Sequence, residues 1–184
     1  MSWREDFKRL MDFLDRFDPD RLFTFEDGLA ERFEELKHRF EHSLIYDLAG
    51  WRVKLAEKWI KVFREAEAEV REKLGLEGIV YPREFGSFLE GCETHFRRKL
   101  FLKLHDLMRG RIRLEDFVGW ARQALTTCFR TNMRTLYQTW CFLSLVKALA
   151  ENYGARMVYP EYCYLPVERL SLIHISEPTR PLYI

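Results

Sequence analysis

Residues 24–75 read TFEDGLAERFEELKHRFEHSLIYDLAGWRVKLAEKWIKVFREAEAEVREKLG, and this stretch decides the fold class. Leu29, Phe33, Leu36, Phe40, Leu44, Leu48, Trp51, Leu55, Trp59, Val62, Ala66 and Val70 recur every three or four positions, the repeat of one face of an α-helix. The spacing is close to a heptad seam, with charged residues on the other faces. Gly50 is the one weak point, because glycine loses more backbone freedom on becoming helical than any other residue. The stretch is therefore either one helix of roughly 70 Å, at about 1.5 Å of rise per residue, or two helices bent at Gly50. A stripe that long needs neighbours to cover it.

Those neighbours are found on both sides of it. Ser2 with Glu5 forms a capping-box pattern, and Trp3, Phe7, Leu10, Met11, Leu14 and Phe17 then share a helical face up to Asp18-Pro19. Beyond a connection from Glu77 to Pro82, a third helix is expected from about Arg83 to Gly110, with Phe85, Phe88, Leu89, Cys92, Phe96, Leu100, Leu104 and Leu107 on its apolar side. A connection so short demands an antiparallel return, placing Phe40, Leu48, Trp51, Leu55 and Trp59 against Phe88, Phe96, Leu100 and Leu104. A fourth helix (114–129) and a fifth (132–153), closed by Gly154, follow. Val- and Tyr-rich stretches at 155–159 and 162–165, bounded by Pro160 and Pro166, read as strands. The fold class expected is mainly α: a long antiparallel helical hairpin or coiled-coil arm plus further helices, with the truncated start of an α/β domain at the C-terminus.

The net charge of +1 conceals an uneven distribution. Met1 to Glu93 holds 16 Lys and Arg against 22 Asp and Glu, whereas His95 to Arg134 holds 10 against 3. An acidic front and a basic middle either attract each other or face different partners. The opening MSWRED has no apolar leader, and the densest apolar run, Trp140 to Val146, is too short to span a bilayer. A soluble, cytoplasmic protein without a membrane partner is the expectation, and Cys92, Cys128, Cys141 and Cys163 read as reduced, buried thiols. Two Gln and two Asn precede residue 170, a scarcity of thermolabile amides that leans toward a thermophilic source.

Three patterns bear on chemistry. His38-Arg39-Phe40-Glu41-His42 has the letters of the inverted zincin motif, H-x-x-E-H, yet both histidines fall opposite Phe40 on the solvated face, where no water-excluding pocket forms. Cys92 and His95 share a face without a second ligand pair, which suits a buried thiol better than a metal. The basic run of Arg97, Arg98, Lys99, Lys103, Arg109, Arg111 and Arg113, continued by Arg122, Arg130 and Arg134, is the stronger candidate. Clustered cations displace counterions from the backbone of DNA or RNA; the alternative is internal pairing with the acidic second helix. Phe96, Phe101 and Phe117, interleaved with these cations, are read as core.

Asn132, Arg134, Tyr137, Gln138 and Trp140, followed by the strand-like stretches, carry a resemblance over residues 130–169. The segment resembles the helix and first strand that open the PD-(D/E)XK, or restriction-endonuclease-like, fold in McrC-type proteins and archaeal relatives. Many of those helices carry a Glu that assists the metal site, where Gln138 stands here. The resemblance implies a metal-dependent nuclease whose Asp and Glu-x-Lys lie on strands after Arg169, with Mg2+ as cofactor of the full-length protein and none in this part. The final segment, Leu170 to Ile184, resembles translated transposase sequencing adapter rather than native chain. The expected organisation is thus a helical region (1–129), the start of a nuclease-like domain (130–169) and an adapter-derived tail (170–184). As a whole it reads as a non-catalytic, nucleic-acid-binding fragment of a nuclease-like protein; the alternative is a helical scaffold that uses its seam to bind a second copy or a helical partner.

Overall fold

A computed structural model describes residues 2–154 and the short strand 164–166. The fold is mainly α. The elements are α1 (Trp3–Phe17), α2 (Asp27–Leu74), β1 (Gly78–Val80), α3 (Arg83–Glu90), α4 (Cys92–Met108), α5 (Leu114–Tyr153) and β2 (Tyr164–Pro166). The described residues form two compact units, one from residues 2–57 with Gly91–Thr131 and the other from Lys58–Glu90 with residues 132–154 and 164–166.

In the first unit α1 begins where the sequence places it, with the Ser2 hydroxyl accepting from the Arg4 N–H at 3.3 Å. Leu10, Phe13 and Leu14 of α1, Phe33, Leu36, Phe40 and Leu44 of α2, Leu104, Leu107 and Met108 of α4, and Phe117 of α5 form one buried cluster. The α2 and α4 segments run antiparallel: His42 lies beside Glu93 at the start of α4, whereas Phe23, just before α2, meets His105 near the end of α4. Phe40 packs on Phe117 and Trp51 on Phe129, so α2 and α5 run parallel in this unit.

The second unit is built on Phe63 and Val70 of α2, Phe85, Phe88 and Leu89 of α3, and Leu136 and Leu143 of α5, all buried. Phe63, Tyr81 and Phe85 meet pairwise with centroids 5.5–5.8 Å apart. Glu67 is 7% exposed on the apolar side of α2 and is paired with Arg64 at 2.6 Å. Two surface ion pairs, Lys147 with Glu69 and Glu151 with Lys73, tie the end of α5 to the end of α2. β1 and β2 pair in parallel, Ile79 opposite Leu165 and Val80 opposite Pro166.

Several expectations need correction. From Phe33 to Leu44 the buried face of α2 is the one read from the sequence, but from Ala49 on the stripe is carried by Ala49, Val53, Ala56 and Phe63, with the expected Val70 buried as well. Trp51 is 61% and Trp59 37% exposed, outside the seam. The cause is a kink: Ala49 leaves helical geometry at φ −145°, ψ 15°, and shifts the helical phase of the residues after it. Gly50 permits it, since a Cβ there would meet the Tyr46 ring at 3.3 Å. Trp51 instead edges against Phe129, 5.8 Å away, with the Arg52 guanidinium over its ring.

The expected third helix is two, α3 and α4, separated at Gly91, and the connection before it contains β1. The expected fourth and fifth helices are one. Phe117, Ala121, Leu125, Phe129, Asn132, Leu136, Thr139 and Leu143 are buried at steps of three and four, so the buried stripe passes through Arg130 and Thr131 with no breaker to end the helix. Among the thiols, Cys92 is buried, Cys128 half-buried and Cys141 exposed. The expected strand at 155–159, the residues 162 and 163, Cys163 and the tail 170–184 lie outside the described residues.

The position of the seam can be measured. Phe40→Ala should lower stability by about 3–5 kcal/mol, the usual loss for a fully buried Phe, whereas Trp51→Ala should lower it by no more than about 1.5 kcal/mol. Urea denaturation of both variants checks this, and equal losses would return Trp51 to the core.

Candidate nucleic-acid interface

All seven residues of the Arg97–Arg113 set lie on α4 or on the turn that joins it to α5, within the first unit. Gly110 shapes that turn. With φ +68° it ends α4 in a left-handed residue, its N–H reaches the Leu107 carbonyl, and the Arg111 N–H reaches back to the Asp106 carbonyl. Arg109, Arg111 and Arg113 are displayed around this reversal, all exposed. The first two also complement the negative end of the α4 dipole.

The acids that pair with Arg97, Lys103, Arg111 and Arg113 lie within five residues of them in the chain. Arg97 is held by Glu93 one turn earlier on α4, and Glu93 also takes His42 at 3.0 Å, so Arg97 belongs to an internal network. Burial works to raise the Glu93 carboxyl, but hydrogen bonds from His42 and Arg97 outweigh it and hold the group below its ordinary value. Lys103 and Arg111 share Asp106, each at 3.6 Å. Arg113 makes a forked contact with Asp116 at 2.9 and 3.2 Å, with its side chain 80% exposed. Arg109 lies over the Phe23 ring, 5.3 Å from its centroid. Arg98 and Lys99 occupy exposed positions of α4. Exposed pairs of this kind contribute about 0–1 kcal/mol and are screened by salt, so they yield readily to a polyanion.

The interleaved aromatics divide. Phe96 and Phe117 are buried as expected, but Phe101 is 47% exposed and the neighbouring Leu102 75%. The signal was available in the helical phase, since Leu100, Leu104 and Leu107 define the buried side of α4 and positions 101 and 102 fall off it. Phe101 meets the His105 ring at 4.6 Å, and His105 in turn meets Phe23 edge-on at 5.1 Å. Burial, with Lys37 and Arg109 nearby, holds the His105 imidazole below its ordinary pKa.

Phe23 belongs to a loop the sequence did not single out. Arg21 and Phe23 have φ of 55° and 56°, left-handed values that side-chain-bearing residues rarely adopt. Asp18, itself buried, imposes them: its carboxylate accepts from the N–H groups of Leu22 at 2.9 Å and Phe23 at 2.8 Å. Arg21 donates through Nε to the Met108 carbonyl at 3.0 Å, fastening the loop to the end of α4. Leu22, between the two, is 69% exposed.

A second polar region of this unit is a cleft of about 650 Å3 lined by residues including Asp6, Arg39, His42, Tyr46 and Asp47. Within it Asp6 forms an ion pair with Arg39 at 3.0 Å, and the Trp3 indole donates to Asp47 at 3.1 Å. His38 and His42 are exposed, as their helical phase requires, and Glu41 turns inward to 6% exposure. The two histidines of H-x-x-E-H therefore face solvent while its glutamate faces inward. No group of three or more His, Cys, Asp or Glu able to hold a metal ion occurs among the described residues. Cys92 and His95 are both buried, and burial, reinforced by Cys128, pushes the Cys92 thiol up to about 12. Gln138 is at an exposed position of α5. No helix among the described residues is long and apolar enough to cross a membrane.

No protein family, no curated protein and no solved structure matches this chain.

Glu41 gives this region a pH signature. Burial raises its carboxyl to about 7, against the opposing pull of Lys37 and Arg97. The folded state thus holds a proton more tightly than the unfolded chain, so stability is full below the ordinary glutamate pKa and declines as pH rises through about 7. The loss above that range is on the order of 3 kcal/mol. Glu41→Gln removes the titration, so it should leave thermal stability nearly unchanged at about pH 4 and raise it at about pH 8. Parallel melting profiles for the two proteins across that range would show that Glu41 holds no such proton.

Proposed function

We propose that the first unit binds the phosphate backbone of DNA or RNA through the Arg97–Arg113 segment, as the binding element of a nuclease-like protein. The observation that supports this reading is the charge imbalance. Seven cations lie between Arg97 and Arg113 with Asp106 as the one acidic residue among them. Arg97 is held by Glu93, which His42 also contacts, and Arg98, Lys99, Lys103, Arg109, Arg111 and Arg113 form the surface we assign to the phosphates. Phosphate contacts of this type carry no sequence information, and their strength comes from released counterions. The nuclease part of the reading rests on the PD-(D/E)XK resemblance of residues 130–169. In that scheme Mg2+ and its carboxylates belong to later strands, and this segment holds substrate without cutting it.

Fluorescence anisotropy with a labelled oligonucleotide tests the binding. Affinity should fall steeply as salt rises, and replacing Arg109, Arg111 and Arg113 together by Glu should weaken it by at least about tenfold and reduce the log–log salt slope by about 3. Unaltered binding would assign those three arginines to internal pairing.

One observation favours the scaffold as a second reading. Along α5 in the second unit, Tyr137, Cys141, Leu145, Leu149 and Tyr153 recur every fourth residue and are all exposed, an apolar stripe suited to a second copy of the chain. Sedimentation should then show a dimer that Leu145→Glu with Leu149→Glu converts to monomer. A monomer at every concentration removes this reading.

A further inference from the structure

Arg98, Phe101, Leu102 and His105 of α4 and its C-cap residue Arg109 lie on one side of the helix, Arg98 three and four residues before Phe101 and Leu102, and Arg109 four after His105. Apolar and aromatic groups thus occupy the middle of that face, with cations at both ends. The Asp18-pinned loop extends the strip sideways, because Phe23 lies against His105 and under Arg109, and it presents Leu22 beside them. Two left-handed non-glycine residues are held there by three hydrogen bonds to Asp18 and Met108, an expense of conformational energy that such loops show where surface shape matters.

A surface that met only phosphates would have no use for Phe101 at 47% exposure or Leu102 at 75%. We infer that the nucleic acid taken by this surface is single-stranded, with unstacked bases lying on Phe101 and its apolar neighbours while Arg98, Lys99 and Arg109 hold the flanking phosphates. The inference rests on the backbone contacts proposed above and specifies their substrate class. Every base has a π-face, so an exposed aromatic ring flanked by cations recognises a strand without reading its sequence. A duplex keeps its bases stacked on one another and offers Phe101 nothing in exchange. An anionic lipid surface is the other polymer-like anion to consider, but insertion needs a continuous apolar face, and here the exposed Leu22, Phe101 and Leu102 stand among Arg98, Lys99 and Arg109, while the other leucines of α4, at 100, 104 and 107, are buried.

The test uses the full chain with a labelled oligothymidylate strand, a duplex of equal length, and phosphatidylserine vesicles as competitor. The strand should bind about tenfold more tightly than the duplex. Phe101→Ala should reduce strand affinity by about five- to tenfold, the scale of one base stack, and leave duplex affinity unchanged. Phe101→Trp should retain strand binding and show fluorescence quenching when the strand is added, which guards against a folding defect in the alanine variant. Equal affinity for strand and duplex, with Phe101→Ala harmless, overturns the single-strand inference and leaves the backbone contacts standing. Absence of binding to both polymers at low salt removes the two readings together. Vesicle binding that the strand does not displace also overturns the inference, in favour of lipid.

Discussion

The apolar stripe of α2 must be covered, and most of the fold depends on that requirement. Its buried members from Phe33 to Val70 are spread over ten turns and separated by charged positions, so most of what offsets the entropy of ordering the helix comes from covering them. In the first unit α1, α4 and α5 supply the cover, with Phe40 and Leu44 completely excluded from solvent. In the second, α3 and the later part of α5 do the same for Phe63 and Val70. The kink at Ala49 changes which residues form the stripe, and small side chains, Ala49, Val53 and Ala56, take the buried positions directly after it. Small residues allow helices to approach closely, which indoles at those positions would prevent.

The charge pattern has been arranged around the same helix with different consequences at its two sides. Where α1 and α4 meet α2, Asp6 of α1 pairs with Arg39, and Glu93 of α4 with His42 and Arg97. Glu41, deeper, lies closer to neutrality than an ordinary carboxylate because burial penalises its charge more than Lys37 and Arg97 relieve it. On the far end of α4 the cations outnumber the acids, and their partners lie three to five residues away on the surface. The first arrangement is suited to holding helices together, the second to meeting an external anion.

The reversal between α4 and α5 concentrates that second arrangement. Gly110 closes α4 with a left-handed residue, and the hydrogen bond from Arg21 to the Met108 carbonyl satisfies the helix end while fixing the Asp18 loop beside it. Leu22, Phe23, His105 and Phe101 are thereby gathered from two separate segments of chain into one aromatic and apolar strip among cations. Neither segment forms that surface alone.

The sequence by itself determined the helical class, the Ser2 cap, the buried side of α3 and α4, and the basic character of residues 97–113, because each depends on local chemistry or on a helical repeat within one element. Phe85, Phe88, Phe96, Leu100, Leu104 and Leu107 are buried as their spacing required, since one uninterrupted stripe has one solution. Beyond Ala49 two stripes of similar strength compete, one with Trp51 and Trp59 and one with Val53, Ala56 and Phe63. Only tertiary packing chose between them, because the choice depends on how near the neighbouring helices come. The continuation of α5 through residue 130 likewise followed from its buried face, which runs from Phe117 to Leu143 without a break. The surface strip of Leu22, Phe23 and Phe101 was beyond local reading for the same reason: it exists only after Asp18 bends one segment onto the end of another.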